Sequence, residues 1–272
     1  CSITGFGQTG PFAERPGYDF MIQGMGGLMS ITGERDGMPG AGPQKAGVAV
    51  TDIITGMYAA LAITAALQER QRSGLGQHLD IALLDCHIAM LANQNLNFMT
   101  SGKAPERAGN AHQNVVPYQV FKTSDGFMIV AVGNDSQFAK FCDIAGHPEL
   151  HNDPRFATNA NRVRHRDTLV PLLENLMRTR RKTDWLQALE AVHVPCGAIN
   201  NLAEVFADPH IDSREMVHTW QHTQVDQLPL VASPLKLSKT PVRKDLPPPL
   251  LGQHTDEVLS DLLAVEDRKS VV

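Results

Sequence analysis

The longest apolar stretch of the chain runs from Ile53 to Leu67 and predicts a buried helix. It follows Thr51 and Asp52, residue types that favour a helix N-terminus, and it ends in cations and then glycine, which favour a C-terminus. Small and polar residues interrupt it, and it is shorter than the ~18 apolar residues that indicate a membrane span. The pattern therefore predicts a core helix.

Shorter patterns predict alternating strands and helices over the remaining chain. Strands are expected at 77–83, 115–121, 127–132 and 194–199, the second and third forming a hairpin around 123–126. Helices are expected at 18–31, 85–99, 136–145, 161–179 and 183–192, and from Thr255, with Thr255 as the cap and Glu257 close behind. Segments 5–47 and 102–114 are predicted to be mostly loop. The mixture indicates an α/β protein.

Composition narrows the class of protein. The chain has 272 residues, 42% of them hydrophobic, and a net charge of -5, which is typical of a soluble protein with one large domain or two smaller ones. The acidic balance argues against nucleic acid as a partner. The four cysteines are far apart and form no C-x-x-C pair, so neither a disulfide framework nor a zinc site is expected. These features, with no visible signal peptide, predict a cytoplasmic protein that does not enter a membrane.

The N-terminus is unusual. Residues 1–4 predict an extended segment, glycines follow at once, and there is no initiator Met. The start resembles the end of a strand whose neighbours lie upstream. We therefore expect an N-terminal portion that has been removed, is not included in this sequence, or is supplied by another chain.

Two motifs suggest sites that their surroundings do not support. Residues 5–10 match G-x-G-x-x-G, but Pro11 and a polar loop follow in place of the apolar helix that a dinucleotide site requires. A tight loop lining a site is the better interpretation. His147 and His151 flank a Pro and lack the H-E-x-x-H order of a metal-binding helix, so a surface turn is expected there.

Three residue types carry candidate chemistry. Asp52 is either a helix cap, a role worth about 1 kcal/mol, or a reactive carboxylate, and its position alone favours the cap. His112, in a loop with glycine, is either a catalytic base or a loop hydrogen bonder, and the loop favours the second. Cys86 and Cys196 have apolar neighbours and no obvious activating base, which argues against cysteine catalysis.

Eight motifs in order resemble the class III CoA-transferases, the relatives of formyl-CoA transferase, carnitine CoA-transferases and α-methylacyl-CoA racemase. They are TGFGQTGP (4–11), RPGYD (15–19), QGMGGLMSITG (23–33), GMYAAL (56–61, after Asp52), GLGQ (74–77), GNAH (109–112), PYQVF (117–121) and LGQHT (251–255). The resemblance covers essentially the whole chain. Each motif alone is weak, but their order and spacing are specific.

The resemblance implies covalent catalysis by Asp52. Its carboxylate would attack an acyl-CoA thioester to form an aspartyl anhydride, and CoA would then move onto the aspartyl carbonyl before an acceptor acid completes the exchange. Coenzyme A is thus expected as a substrate, with no permanently bound cofactor. The expected partners are an acyl-CoA, a carboxylic acid and a second copy of the chain.

The resemblance also implies binding residues. Tyr18 and Asp19 correspond to the tyrosine–acid pair beside the nucleophile, and Gly109, Asn110 and His112 belong to a glycine loop that covers the site. This loop reads Gly-Asn-Ala-His-Gln and departs from the glycine run of formyl-CoA transferase, which casts doubt on oxalate and formate as substrates.

Two alternatives remain open. A racemase of this family would exchange an α-proton between two bases, but it has histidine where this chain has Tyr18, and tyrosine, with a pKa near ~10, is a poor base at neutral pH. A truncated paralogue that binds CoA without catalysis is the non-enzymatic alternative. The residues favour the transferase.

The implied fold is a large Rossmann-like CoA-binding domain and a small α/β domain. Residues 1–100 would belong to the large domain, 101–207 to the small domain, and 208–272 would return to the large one. Two subunits would interlock like links of a chain. Most of the CoA-binding sheet would lie in the expected N-terminal portion.

Overall fold

A computed structural model describes residues 1–263 of the chain. The chain folds as two compact units, Cys1–Ala198 and one that begins at Ile199. The division expected at residue 100 falls inside the first unit. Helices and short strands alternate along the described residues, so the expected mixed α/β class is confirmed.

The first hundred residues form a helical layer beside two parallel strands. Strand β1 (Ser2–Thr4) pairs with β2 (Asp80–Ala82), and Ile3 lies opposite Ile81. The helices are α1 (Asp19–Met25), α2 (Leu28–Ile31), α3 (Val50–Ser73), α4 (Leu83–Met90) and α5 (Asn93–Ser101). Helix α1 packs against α3 and α4, which also pack against each other. This packing places the start of α3 beside α1.

Helix α3 differs from its prediction in length, start and burial. It is 24 residues long, begins at Val50, and its N-cap residue Ala49 makes no side-chain cap bond. Asp52 is therefore inside the first turn, and its interpretation as the cap is wrong. Only Thr51, Thr55 and Ala59 are buried. The helix is long and apolar enough to cross a membrane by length and composition, a test that soluble helices also pass.

Residues beyond 114 in the first unit form a small sheet covered by helices. The expected hairpin is confirmed: β3 (Tyr118–Lys122) pairs antiparallel with β4 (Phe127–Ala131), and β5 (Cys196–Ala198) pairs with β4 on its other edge. The helices are α6 (Asp135–Ala145), α7 (Glu149–Asn152), α8 (Asn159–Arg164), α9 (Arg166–Met177) and α10 (Lys182–Ala191). The single helix expected at 161–179 is two helices, because His165 between them has φ -106° and ψ 26°, outside the helical range.

The core of this sheet and its helices surrounds one buried cation. Arg162 is fully buried among apolar side chains such as Phe138, whose ring lies 4.4 Å below its guanidinium. The guanidinium donates to the carbonyls of Val116 and Phe156 at 2.6 and 3.0 Å and forms an ion pair with Asp135 at 2.8 Å. Arg162 thus supplies donors to backbone carbonyls that are hidden from water.

The second unit, described to residue 263, is smaller. It contains α11 (Leu202–Phe206), α12 (Pro209–Ser213), the antiparallel pair β6 (Val217–Gln221) and β7 (Gln227–Val231), and α13 (Thr255–Leu263). The last helix begins at Thr255, as expected, and the ring of the preceding His254 is hydrogen bonded to Glu257 at 2.9 Å. Thr255 is thus the first helical residue and not the cap.

Candidate active site

The N-terminus of α3 is capped by a residue distant in sequence. Asp19, in the first turn of α1, accepts a hydrogen bond from the backbone N–H of Thr51 at 2.8 Å. The first N–H groups of a helix have no partner within it, and a carboxylate there also interacts favourably with the helix dipole. Asp19 therefore fills the role that the sequence suggested for Asp52.

Gln23 connects the same carboxylate to the loop that enters α3. It is fully buried one turn after Asp19 and donates to the second carboxylate oxygen of Asp19 at 2.6 Å. Its own oxygen accepts from the backbone N–H of Ala46 at 2.8 Å. The buried amide therefore fixes both the Asp19 carboxylate and the chain that leads into α3.

Thr51 is held from the side of α4 as well. Its hydroxyl is hydrogen bonded to Nδ1 of His87 at 2.7 Å, and both side chains are fully buried. The imidazole packs on Gly26, where an added Cβ would lie 2.4 Å from the ring. Among the described residues, Nε2 of His87 has no hydrogen-bond partner. The residue immediately before Asp52 is therefore fixed through both its backbone and its side chain.

The buried imidazole should make folding depend on pH. Burial lowers the pKa of His87 below its ordinary value of 6.5, because it disfavours the charged ring, and the charge of Asp19 opposes this. The unfolded chain binds this proton more readily, so stability is lost as pH falls from about 6.5 toward the folded pKa. We expect urea midpoints to fall more between about pH 7 and 5.5 in wild type than in His87→Gln. Equal falls would contradict this prediction.

Asp52 itself is not used by the fold. It is exposed in the first turn of α3, and its carboxylate makes no hydrogen bond or ion pair to any residue in the range 1–263. A helix N-terminus stabilises an anion at this position. The structure therefore presents a free carboxylate on a backbone that Asp19, Gln23 and His87 hold in place.

Tyr18 is brought to the same region. It is the N-cap residue of α1, directly before Asp19, and 77% of its surface is exposed. Its hydroxyl makes no bond to the described part of the chain. Because Asp19 bonds to Thr51, the pairs Tyr18–Asp19 and Thr51–Asp52 are neighbours in the fold. The structure thus brings together three of the predicted site residues, Tyr18, Asp19 and Asp52. The Asp19 carboxylate, however, is hydrogen bonded to the backbone of α3.

The predicted glycine loop lies against another segment. The N–H of Gly109 donates to the carbonyl of Gly33 at 3.1 Å. Gly109 has φ +60°, and an added Cβ would lie 2.9 Å from the Glu34 carboxylate, so only glycine fits without strain. Asn110, next along the loop, is exposed.

His112 serves the loop in this structure. Its backbone N–H donates to the carbonyl of Tyr118 at 2.8 Å, and its Nδ1 accepts from the N–H of Asn114 at 3.0 Å. Its ring packs against that of Tyr118, with centroids 5.3 Å apart. These bonds are those of a loop hydrogen bonder.

The loop and Asp52 are joined only indirectly in the described chain. No hydrogen bond connects residues 109–112 to Tyr18 or Asp52 within residues 1–263. Segment 32–46 links them: its start binds Gly109, and its end binds Gln23. The same segment therefore supports the loop and the start of α3.

Other candidate chemistry finds little support. Burial raises the pKa of the Cys86 and Cys196 thiols, and that of Cys142 to about 12, so none of these three is poised as a thiolate. Within residues 1–263, no group of three or more His, Cys, Asp or Glu side chains is arranged to hold a metal ion. The ring of His147 is hydrogen bonded to Glu149 at 2.8 Å at the start of α7.

Comparison with known proteins decides the family. The sequence profile of CoA-transferase family III matches residues 1–255. The chain belongs to CoA-transferase family III. A CaiB/BaiF family protein from Brucella suis, whose crystal structure is known, is 48% identical and superimposes with a TM-score of 0.78 over 96% of this chain and 67% of that one.

Two curated family III relatives have named activities. The succinate–glutarate CoA-transferase of Agrobacterium fabrum is 48% identical over 98% of this chain and 66% of its own length. The succinyl-CoA:glutarate CoA-transferase of Homo sapiens is 40% identical over 98% of this chain and 60% of its own length. The chain thus spans a little under two thirds of these relatives.

Sequence reasoning missed the residues that support Asp52. Gln23, Thr51 and His87 surround the start of α3, but none stood out as a functional residue. One weak signal exists: Gln23 follows Asp19 by four residues on a short helix, the spacing at which two helical side chains meet.

Proposed function

We propose that this protein is an acyl-CoA:carboxylate CoA-transferase that uses Asp52 as a covalent nucleophile. One observation carries the proposal: the Asp52 carboxylate is exposed and unbonded in a first helical turn that Asp19 already caps. Membership of family III and the transferase activities named for the relatives support it. The activity belongs to the complete protein.

The first half-reaction loads CoA onto the enzyme. A carboxylate oxygen of Asp52 attacks the thioester carbonyl, and the C–S bond breaks and releases the CoA thiolate. The acyl group is then joined to Asp52 as a mixed anhydride. The thiolate then attacks the aspartyl carbonyl of that anhydride. The C–O bond between the aspartyl carbonyl and the bridging oxygen of the anhydride breaks and releases the first acid as a carboxylate. Asp52 then carries CoA as a thioester.

The second half-reaction follows the same steps in reverse. The acceptor carboxylate attacks the Asp52 thioester and releases thiolate, which attacks the acceptor's carbonyl in the new anhydride and restores free Asp52. No proton or electron is consumed overall. Four easier acyl transfers thus replace one difficult exchange.

Neighbouring groups would orient and stabilise these steps. The fixed Thr51 backbone keeps Asp52 in one orientation, and reacting atoms held in place react faster. Tyr18 is free to contact the acyl group or the thiol. We call the loop 109–112 the lid. The backbone N–H of Asn110 would donate to the developing oxyanions, with Gly109 and His112 helping to shape the lid.

We infer that the acids exchanged are dicarboxylates. The activities named for the two relatives involve succinate and glutarate, which are dicarboxylic acids. The loop sequence Gly-Asn-Ala-His-Gln argues against formate and against oxalate, the shortest dicarboxylate, so longer dicarboxylates are favoured. Coenzyme A enters as a substrate, and the reaction requires no permanently bound cofactor.

We also propose that the complete protein is a homodimer in which α3 is covered. Ile53, Met57 and Leu61 recur every four residues on α3 and are 56%, 62% and 64% exposed. Such an apolar row is costly in water and fits an interface with further protein, as the interlocked subunits would supply. A monomer in light scattering would refute this.

The reducing cytoplasm is the proposed location.

Trapping the enzyme–CoA intermediate tests the proposed activity. The complete protein is mixed with succinyl-CoA without acceptor and digested, and mass spectrometry should find a CoA-sized adduct on the peptide carrying Asp52. Glutarate added before quenching should remove it. An adduct elsewhere, or none, would refute the mechanism.

Incorporation of solvent deuterium at the α-carbon without acceptor would identify a racemase.

A further inference from the structure

An open cleft of about 540 Å³ in the first unit carries an excess of positive charge. It lies where segment 32–46, the loop before Gly109 and the start of α9 meet. Four cations line it against two acids: Arg35, Lys103, Arg107 and Arg166, with Asp36 and Glu106. The chain as a whole has a net charge of -5, so this local balance is unusual for it. We call it the arginine cleft.

Of the three arginines in the cleft, Arg35 alone has no side-chain partner in the described chain; Lys103 also has none, but it is exposed. Its side chain is partly buried and forms no hydrogen bond, ion pair or ring contact with any residue of the described chain. Only its backbone is bonded: its N–H donates to the Glu34 carboxylate at 2.8 Å. A guanidinium carries five donors in a planar fork, and an unpaired one at a cleft wall is free to bind a ligand.

Arg166 faces Arg35 and is fixed by the lid. Its guanidinium donates to the carbonyls of His112 and Gln113 at 2.6 and 2.8 Å. Burial lowers the pKa of Arg166, and the charge of Arg35, on the wall of the same cleft, lowers it further, so the two cations repel each other. An anion between them would relieve that repulsion.

The remaining charges do not neutralise this pair. Arg107 forms an ion pair with Asp36 and donates to the carbonyl of Glu34 at 3.2 Å, so these two charges cancel each other. The Glu34 carboxylate lies against Gly109, on the wall of an adjoining cleft that Arg35 and Glu174 also line, but neither acid forms an ion pair with Arg35. The arginine cleft therefore keeps two arginine charges with no acid bound to them.

We propose that the arginine cleft binds an oxyanion of the substrate between Arg35 and Arg166. The forked guanidinium matches carboxylate and phosphate alike, so the source is either the second carboxylate of a dicarboxylic acid or a phosphate of CoA. Its position beside the lid favours the carboxylate, because the lid is expected to cover the acyl group. The choice of source rests on the proposed function; the oxyanion site itself does not.

Equilibrium binding tests this site without turnover. The complete protein is titrated by calorimetry with four probes: glutarate, pentanoate of the same length with one carboxylate, CoA, and pantetheine, which lacks the phosphates. Arg35→Gln should weaken glutarate binding about 10- to 100-fold, as for the loss of a charge-assisted hydrogen bond, and leave the other three unchanged. Arg35→Lys should recover part of the loss.

The controls separate the outcomes. Arg178→Gln removes an exposed arginine at the other end of α9 and should change nothing. If Arg35→Gln weakens CoA but not pantetheine or glutarate, the oxyanion is a phosphate. If it changes none of the probes, or all four alike, the site is refuted. If the wild-type protein binds glutarate as expected but forms no CoA adduct on Asp52, the proposed mechanism is refuted and the oxyanion site is not.

Discussion

Replacing Asp52 by Asn should abolish CoA transfer while leaving the protein folded. The amide has nearly the same shape but cannot attack a thioester and form an anhydride. Loss of a covalent nucleophile lowers kcat by on the order of 10⁴-fold or more. The free energy of unfolding should change by no more than about 1 kcal/mol, because the Asp52 carboxylate forms no hydrogen bond or ion pair with the described residues and interacts only with the helix dipole. Steady-state exchange between succinyl-CoA and glutarate measures the first effect and urea unfolding the second.

A matched variant identifies the chemistry as the cause. Asp184 is also exposed in the first turn of a helix, α10, so Asp184→Asn removes a similar charge from a similar field. It should keep full activity. CoA affinity should be unchanged in Asp52→Asn, since the carboxylate is not expected to bind the nucleotide. Turnover by Asp52→Asn within tenfold of wild type would refute the role of this residue.

Local sequence patterns predicted the elements well where packing agrees with periodicity. The hairpin of β3 and β4 was predicted because two apolar runs flank the turn sequence 123–126, and their buried residues, such as Phe121, Met128 and Val130, face one core. The break at His165 was missed because the apolar period continues on both sides of it. The spacing of apolar residues indicates which face of a helix is buried. It does not indicate a change of backbone direction when the same face stays buried on both sides.

The start of α3 shows a different limit. Thr51 and Asp52 are good capping residues, so local sequence placed the cap there, yet the N–H of Thr51 is bonded to Asp19, 32 residues away. A distant residue that packs against the helix can replace the local cap. That replacement leaves Asp52 free for chemistry, so the same contact contradicts one prediction and supports the other.

The supporting residues are hidden for the same reason. His87 follows Thr51 by 36 residues, and Arg166 follows His112 by 54, so neither contact has a sequence spacing that a motif describes. The role of Arg35 is visible only in the structure, where two loops and the start of α9 meet around it. Family resemblance points to the residues that react, whereas geometry was needed to find those that hold or surround them.

Replacing Arg162 by Met should strongly destabilise the sheet that holds the loop 109–112. The methionine fills part of the space but leaves the carbonyls of Val116 and Phe156 buried without donors, and it strips Asp135 of its partner. Each buried carbonyl left without a donor costs about 1–3 kcal/mol, and the half-exposed Asp135 adds little. Val116 lies two residues before Tyr118, whose carbonyl binds the N–H of His112, so the loop 109–112 should loosen before the whole unit unfolds.

Fluorescence can follow this part of the protein alone. Trp185 is fully buried in the same core, and a Trp220→Phe background removes the indole of the second unit. In urea, Arg162→Met should unfold at a much lower midpoint than the background protein. Arg164→Met, two residues along α8 on an exposed arginine, should shift it little. Equal midpoints for the two variants would show that the buried guanidinium contributes no net stability, because well-packed apolar atoms can replace a buried ion pair without loss.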